Sequence, residues 1–292
     1  MITILGATGN TGGRVAARSA EAGGTVRAVS RSGREVPGCT AVRADANDPA
    51  ALARAFNGAG AAYVLLPFAL FDAGYHAHQD RLGSAITAAL RAAEVPYVVA
   101  LSSLGAEVET GTGYLTALHR QEQRLAELDA EVLFLRPGLF YESFLHSLDA
   151  LRAGMHVDTI DPDVRLPMVA TQDIGDVAAE ALLARRETGV REVVGPEDLT
   201  VPEAVAHLGA GYTRIPDEAL WGGLREAGMP PDVADLHLEM NAAFNSGLVR
   251  AHGTGPRSST TIAQWAGALG LGVSTDSAPG AACRPADAGR SA

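Results

Sequence analysis

Met1-Ile-Thr-Ile-Leu-Gly6-Ala-Thr-Gly9-Asn-Thr-Gly12-Gly-Arg-Val-Ala16 decides how the rest of the chain is read. Residues 1–5 form a short apolar run with β-branched side chains, the pattern of a strand buried on both faces of a parallel sheet. Glycines at 6, 9 and 12 follow without a gap, and from Thr11 the spacing turns helical, with Val15, Ala16 and Ala20 on one face. A strand that turns directly into a helix leaves backbone N–H groups open at the helix N-terminus. Those donors, with the positive end of the helix dipole, suit a pyrophosphate. Gly6 serves the turn, Gly9 lets the backbone approach phosphate, and Gly12 lets helix and strand pack closely. The spacing is G-x-x-G-x-x-G rather than G-x-G-x-x-G. The strand before it and the helix after it are what make three glycines informative in a chain that has 33.

Working outward, strands are expected at 25–30, 39–42, 61–66, 97–102 and 131–135, with helices at 49–57, 75–93 and 115–128. Strand and helix in alternation indicate an α/β fold, a Rossmann-type doubly wound parallel sheet. After Gly138 the rhythm changes. Helices are expected at 140–151 and 172–184, strands near 164–169 and at 190–194, and a mainly helical stretch at 201–247 with helices at 216–228 and 231–245. A last helix falls at 260–269. The chain therefore reads as a nucleotide-binding core over 1–138 and a smaller, mainly helical C-terminal substrate or lid region over 139–272, interleaved with the last sheet strands. Residues 273–292, rich in Ala, Gly, Ser and Pro, read as a disordered tail.

The 292 residues carry 23 basic and 34 acidic side chains, a net charge of −11, which argues against nucleic acid as the partner. Cys39 and Cys283 are too few for a zinc pattern and too far apart to suggest a structural disulfide. No apolar stretch reaches spanning length and the N-terminus reads as a core strand, so a soluble cytoplasmic protein is expected. Size and charge suit either a monomer or a homodimer.

The end of the second strand normally chooses between nicotinamide cofactors: an acid binds the ribose 2′-OH, an arginine accommodates a 2′-phosphate. Here it reads Ser30-Arg31-Ser32-Gly33-Arg34, with no acid before Glu35. Arg31 offers a fixed charge and a fork of donors, so NADP(H) is favoured over NAD(H). Asp45 either accepts from the adenine amine or shapes the turn before Asn47-Asp48-Pro49.

Five segments together resemble the NmrA-like, atypical branch of the short-chain dehydrogenase/reductases. They are Gly6-Ala-Thr-Gly-Asn-Thr-Gly12, the Arg31 strand ending, Leu101-Ser-Ser-Leu-Gly-Ala106, His119-x-x-Glu122 and Leu135-Arg-Pro-Gly-Leu-Phe140. Val169-Ala-Thr-Gln-Asp-Ile174 and Val194-Gly-Pro-Glu-Asp-Leu-Thr200 extend the match in order toward Ala268. The resemblance implies an NADP(H)-binding Rossmann fold whose members include quinone and azo-dye reductases, reductases of plant phenolics and NADP-sensing regulators. It implies that Gly6, Thr8, Gly9, Asn10, Thr11 and Gly12 cradle the pyrophosphate and that Arg31 holds the 2′-phosphate. Asp45 and Ala46 would border the adenine, and Leu65, Leu66 and Pro67 would pass under the nicotinamide ribose. Ser102 and Ser103 would lie near the nicotinamide, and Phe140 and Tyr141 would lead into the substrate space. Where the family often has Phe-Met-Glu-Asn, this chain has Phe140-Tyr-Glu-Ser143.

The wider superfamily pairs a tyrosine with a lysine four residues on, which lowers the phenol pKa for proton donation. Here Ser103 could serve as the serine, but Tyr114 is followed four residues later by Leu118. Without that charge the phenol stays near its ordinary pKa of about 10 and is a weak acid. His119 is a second candidate proton donor, or else a helix-surface residue paired with Glu122 one turn on. The loop from Phe68 to His78, with Phe71 and Tyr75, suits a flat apolar substrate, as would Phe140, Tyr141 and Phe144. His76 and His78 lack a carboxylate at ligand spacing, and no metal is expected.

These observations favour an NADPH-dependent reductase of a flat conjugated small molecule, such as a quinone, phenolic or polyketide-type metabolite. Such an acceptor can take hydride first and its proton from water. Two alternatives stand beside it: a redox sensor that binds NADP(H) and a protein partner, and a non-redox biosynthetic enzyme performing dehydration or cyclisation.

Overall fold

The computed structural model describes residues 1–271, so the tail expected at 273–292, and Cys283 within it, lie outside the described residues. The first half alternates as the pattern predicts. It runs β1 (Ile2–Leu5), α1 (Asn10–Glu21), β2 (Val26–Ser30), β3 (Thr40–Arg43), α2 (Pro49–Phe56), β4 (Ala61–Leu65), α3 (Tyr75–Ala92), β5 (Tyr97–Leu101), α4 (Thr116–Ala126) and β6 (Glu131–Pro137). The second half adds β7 (Leu139–Phe140), α5 (Leu148–Arg152), β8 (Met155–Asp158), β9 (Leu166–Val169), α6 (Thr171–Ala184), β10 (Gly189–Val193) and β11 (Asp198–Leu199). It ends with α7 (Val201–His207), β12 (Gly211–Arg214), α8 (Asp217–Glu226), α9 (Pro231–Asn245) and α10 (Ile262–Ala268).

Seven parallel strands form the main sheet in the order β10-β6-β5-β4-β1-β2-β3. The order reverses between β1 and β4, and open sheets of this kind bind ligands beyond the C-terminal ends of the strands at that point. Alternation along the strands builds two cores. Tyr63, Tyr97, Val99, Leu133 and Leu135 pack with Val15 and Ala16 of α1 and Ile174 and Leu182 of α6. Val64, Val98, Ala100 and Phe134 pack with Leu52 and Phe56 of α2 and Leu82, Ile86 and Leu90 of α3. Each buried side chain of this size contributes about 2 kcal/mol. After Gly138 the chain returns to the first layer: α6 docks on α1, where Asp176 accepts from Arg14 Nε at 2.7 Å and Nη2 at 2.8 Å.

Two expectations need correction. The helix expected at 140–151 is instead the β7 strand, a 3₁₀ turn over Tyr141–Ser147, and the short α5. Pairing of Leu139 with Met168 and Phe140 with Val169 holds the start extended. Ser147 Oγ donates to Phe144 O at 3.1 Å, a local bond that competes with helix geometry. The stretch 201–247 contains a strand, β12, parallel to β8 in a separate two-stranded sheet with Gly211 opposite Met155.

A third, smaller core joins the two halves. Tyr75, Tyr114, Met229, Val233 and Ala234 pack together, with Trp221, Leu224 and Met240 at their edge. It places α8 and α9 over the loop before α3, where Asp232 Oδ2 accepts from Gly74 N at 2.7 Å.

Candidate functional site

At the switch point Gly6 has φ +74°, and a Cβ on Gly12 would sit 2.3 Å from Gly6 O, so neither position accepts a side chain without rearrangement. Gly9 N donates to Gly6 O at 2.9 Å and closes the turn. α1 starts at Asn10 with no side-chain cap and no acid in its first turn. Its first N–H groups therefore have no competing side-chain acceptor, and Gly9 and Asn10 are exposed while Thr11 is buried. These are the properties of an anion cradle.

Beside it, Arg31 and Arg34 stand exposed at the end of β2, and Arg34 Nη2 donates to Thr8 O at 3.3 Å. Sequence reasoning missed Arg43. It pairs in register with Ser30, and its Cβ would lie 3.0 Å from a Cβ on Gly33. None of the three arginines forms an ion pair among the described residues. The signal for Arg43 was its place at the end of a strand parallel to the one ending in Arg31. Asp45 shapes a turn: its Oδ1 accepts from Asn47 N at 2.8 Å and Asn47 Nδ2 at 3.0 Å, while Asp48 caps α2. Those bonds, from the Asn47 backbone first, hold its carboxyl below the usual range, with Arg31 adding to them. Ala46 is half-buried beside it.

The tip of β4 is Leu65-Leu66-Pro67-Phe68, and α3 pins it through Gln79 Nε2, which donates to Pro67 O at 2.9 Å. Leu66 is buried, Leu65 half-buried and Pro67 exposed. Phe68 is 48% exposed and its ring lies 6.1 Å from Tyr114 and 6.3 Å from Tyr75. Phe71 stands 66% exposed on the loop.

At the tip of β5 the two serines diverge. Ser102 is buried, and its hydroxyl donates to Glu122 Oε1 at 2.5 Å, not toward the cofactor side expected of it. Successive residues at a strand end point to opposite faces, and Ser102 takes the α4 side. Ser103 is half-buried, with no side-chain hydrogen bond among the described residues, so its hydroxyl is free for a ligand. Glu122 is held bidentate by Arg136, with Nε at 2.9 Å and Nη2 at 2.6 Å, and Arg136 Nη1 also reaches Glu107 at 3.0 Å. The Glu122 hydrogen bond holds the Arg136 guanidinium above its usual pKa.

His119 is therefore not paired with Glu122. Its Nδ1 donates to Ala106 O at 2.8 Å, and its Nε2 lies 3.0 Å from Gln123 Nε2. It pins the Ser103–Ala106 loop to α4.

Tyr114 is 3% exposed, donates its hydroxyl to Val233 O at 3.1 Å, and burial pushes its phenol far above the ordinary value. The structure gives it a packing place, not that of a proton donor. The chain contains no lysine at all: all 23 basic residues are arginine. Tyr141 is fully buried against Trp265, 5.7 Å between rings, with its hydroxyl on Thr260 O at 3.3 Å. Burial first, then Asp173, Glu197 and Glu142, pushes it up to about 12. Phe144 packs on His156, 5.5 Å away, and Tyr75 is fully buried beneath Phe68. These three belong to the core rather than to an open pocket wall; Phe140 is half-buried. The 3₁₀ turn after β7 rotates Tyr141 and Phe144 inward, a turn that residue spacing alone does not reveal.

The geometry is that of a dinucleotide cleft, and the sequence profile of a family described as NAD(P)H-binding matches residues 6–185. The chain belongs to the NAD(P)H-binding family. Within it, the chain is similar to (4-alkanoyl-5-oxo-2,5-dihydrofuran-3-yl)methyl phosphate reductase of Streptomyces griseus subsp. griseus, 29% identical over 214 residues, 71% of this chain and 72% of that one. It is also similar to the NAD(P)H azoreductase of Xenophilus azovorans, 25% identical over 254 residues, 83% of this chain and 86% of that one. The fold matches an NADPH-dependent quinone oxidoreductase of Escherichia coli solved with NADPH, at TM-score 0.77 and 21% identity over 92% of this chain and 99% of that one. The NmrA fold, that of a negative transcriptional regulator, also matches, at TM-score 0.64 and 16% identity over 84% and 82% of the two chains. No helix among the described residues is long and apolar enough to cross a membrane.

Proposed function

We propose that this NAD(P)H-binding protein is an NADPH-dependent reductase of flat, conjugated small molecules. The observation that carries the reading is that the tips of two paired strands, β4 and β5 with Leu65 opposite Leu101, carry an exposed aromatic ring on Phe68 and the unbonded hydroxyl of Ser103. The donor set fits the cofactor. Backbone N–H groups from Gly6 to Gly12 would hold the pyrophosphate, and Arg31 with Arg43 the 2′-phosphate. Asp45 and Ala46 would border the adenine, and Leu65 to Pro67 would lie along the nicotinamide ribose. When bound, the reduced nicotinamide supplies hydride. Ser103 orients what lies at the β5 tip, and the His119 bond to Ala106 O keeps that loop in place. Phe68 stacks against a planar acceptor. With the Tyr114 phenol hydrogen-bonded to Val233 O and no lysine in the chain, the reaction proton comes from water, which suits quinone-type and azo acceptors better than simple ketones.

The test is a binding titration with NADPH, NADP⁺ and NADH, followed by cofactor oxidation with a naphthoquinone, an azo dye and a simple ketone. Tighter NADPH than NADH binding with oxidation driven by the first two acceptors is expected. Tight binding with oxidation by none of a broad acceptor panel would overturn the reading.

A further inference from the structure

α9 carries Val233, His237, Asn241 and Asn245 at intervals of four, so they share one face. Two of these side chains, Asn241 and Asn245, are committed to defined partners, and the backbone carbonyl of Val233 is taken as well. Val233 O accepts from Tyr114. Asn241 Nδ2 donates to Asp158 Oδ1 at 2.6 Å and to Thr159 Oγ1 at 3.0 Å. Asn245 Nδ2 donates to Thr159 O at 3.0 Å while its Oδ1 accepts from Asp161 N at 2.8 Å. Of the three polar side chains on this face, His237 is the one with no hydrogen bond to a described residue. Its ring meets Tyr114 edge-on at 5.9 Å, and Tyr114 in turn contacts Phe68, the residue after Pro67 at the β4 tip. The ring is half-buried, open enough to be touched and too enclosed to be well hydrated.

We propose that His237 is the substrate-facing hydrogen-bond donor of the cleft, taking the ring oxygen of a quinone-type acceptor laid against Phe68. The proposal rests on the reductase reading and sharpens it to acceptors with an oxygen at the ring edge. The imidazole suits this as a neutral donor: burial, with the neighbouring His146 ring, pushes it down to about 4. A neutral N–H polarises an oxygen without placing a charge in an aromatic site. α9 is tied down at both ends, by Asp232 on Gly74 and by Asn245 on Thr159 and Asp161.

The experiment uses the full chain saturated with NADP⁺ and measures binding of naphthoquinone and of naphthalene by calorimetry, together with the ring C–H resonances of His237. His237→Phe keeps the ring and removes the N–H. Naphthoquinone Kd should rise about tenfold, naphthalene and NADP⁺ binding and the melting temperature should not change, and His237→Gln should recover part of the loss. The His237 resonances should move with naphthoquinone and not with naphthalene. Equal naphthoquinone affinity in wild type and His237→Phe overturns the proposal, and does so while leaving the reductase reading intact if quinone-driven NADPH oxidation persists. Failure of wild type to bind naphthoquinone also overturns it. Quinone binding that depends on His237 without oxidation by any acceptor supports the contact and removes the reductase reading.

Discussion

At the scale of single residues, the cofactor end of the cleft depends on charge without a partner. Arg31, Arg34 and Arg43 gather at the ends of two parallel strands, and a 2′-phosphate is the anion that such a cluster would recognise. Arg31→Ala should weaken NADPH binding about tenfold or more, with NADH nearly unaffected, since a charged hydrogen bond carries about 1.5–3 kcal/mol. Paired calorimetric titrations read this directly, and equal losses for both cofactors would point to a folding effect instead. Tyr114 makes the opposite case. Its hydroxyl is donated to Val233 O, so Tyr114→Phe should keep kcat within about threefold, far from the losses of about a hundredfold or more that removal of a general acid brings. Steady-state kinetics with a quinone decide between these. The glycine turn and Arg31 were legible in the sequence because their chemistry is local, fixed by a strand end and the next few residues. Ser102, Tyr141 and His237 were not. Ser102 is turned by strand alternation toward Glu122, twenty residues on, Tyr141 by the 3₁₀ turn, and the setting of His237 against Tyr114 by a helix arriving from more than a hundred residues away.

At the scale of elements, the loop after β5 is clamped from two sides. Arg136 at the end of β6 grips Glu122 of α4, which receives Ser102; His119 of the same helix holds Ala106 O. The Arg136 and Glu122 side chains are only 14% and 12% exposed, so screening is weak. Arg136→Ala leaves a carboxylate with little solvent and should cost about 3 kcal/mol in urea unfolding. A cost near the ~0.5 kcal/mol of a surface pair would show the clamp to be ornamental. His119 and Glu122 at helical spacing suggested a mutual pair, yet His119 bonds Ala106 O and Glu122 bonds Arg136, partners on the neighbouring loop and strand that spacing along one helix does not reveal. Every strand of the seven-stranded sheet was legible: the inner strands β1, β4 and β5 are buried along nearly their whole length and carry apolar runs, and the edge strands β3 and β10 stand out by their β-branched residues and their place in the strand–helix alternation. β8 and β12 were not: they are four residues each, mostly exposed, and their partners lie more than fifty residues apart.

At the scale of the molecule, the segment after α9 must return to the sheet that carries the cofactor cleft, and Glu192 on β10 receives it. This 4% exposed carboxylate accepts from His252 N at 2.7 Å, Gly253 N at 2.6 Å and Thr254 N at 3.0 Å. Burial alone would raise its pKa; those three backbone donors and the His252 ring outweigh burial and hold it below the ordinary value. A carboxylate depressed on folding lends stability that is present above its unfolded pKa of about 4.3 and is lost as pH falls through the folded value. Glu192→Gln replaces one accepting oxygen with an NH₂ facing N–H donors. It should destabilise the protein by about 2 kcal/mol at pH 7. Because the wild-type carboxylate stays ionised down to its depressed pKa, the gap should hold at about pH 5 and close only below about pH 4. Urea unfolding of both proteins across that range measures it. A gap that persists unchanged into acid would mean that shape, not charge, holds the returning segment.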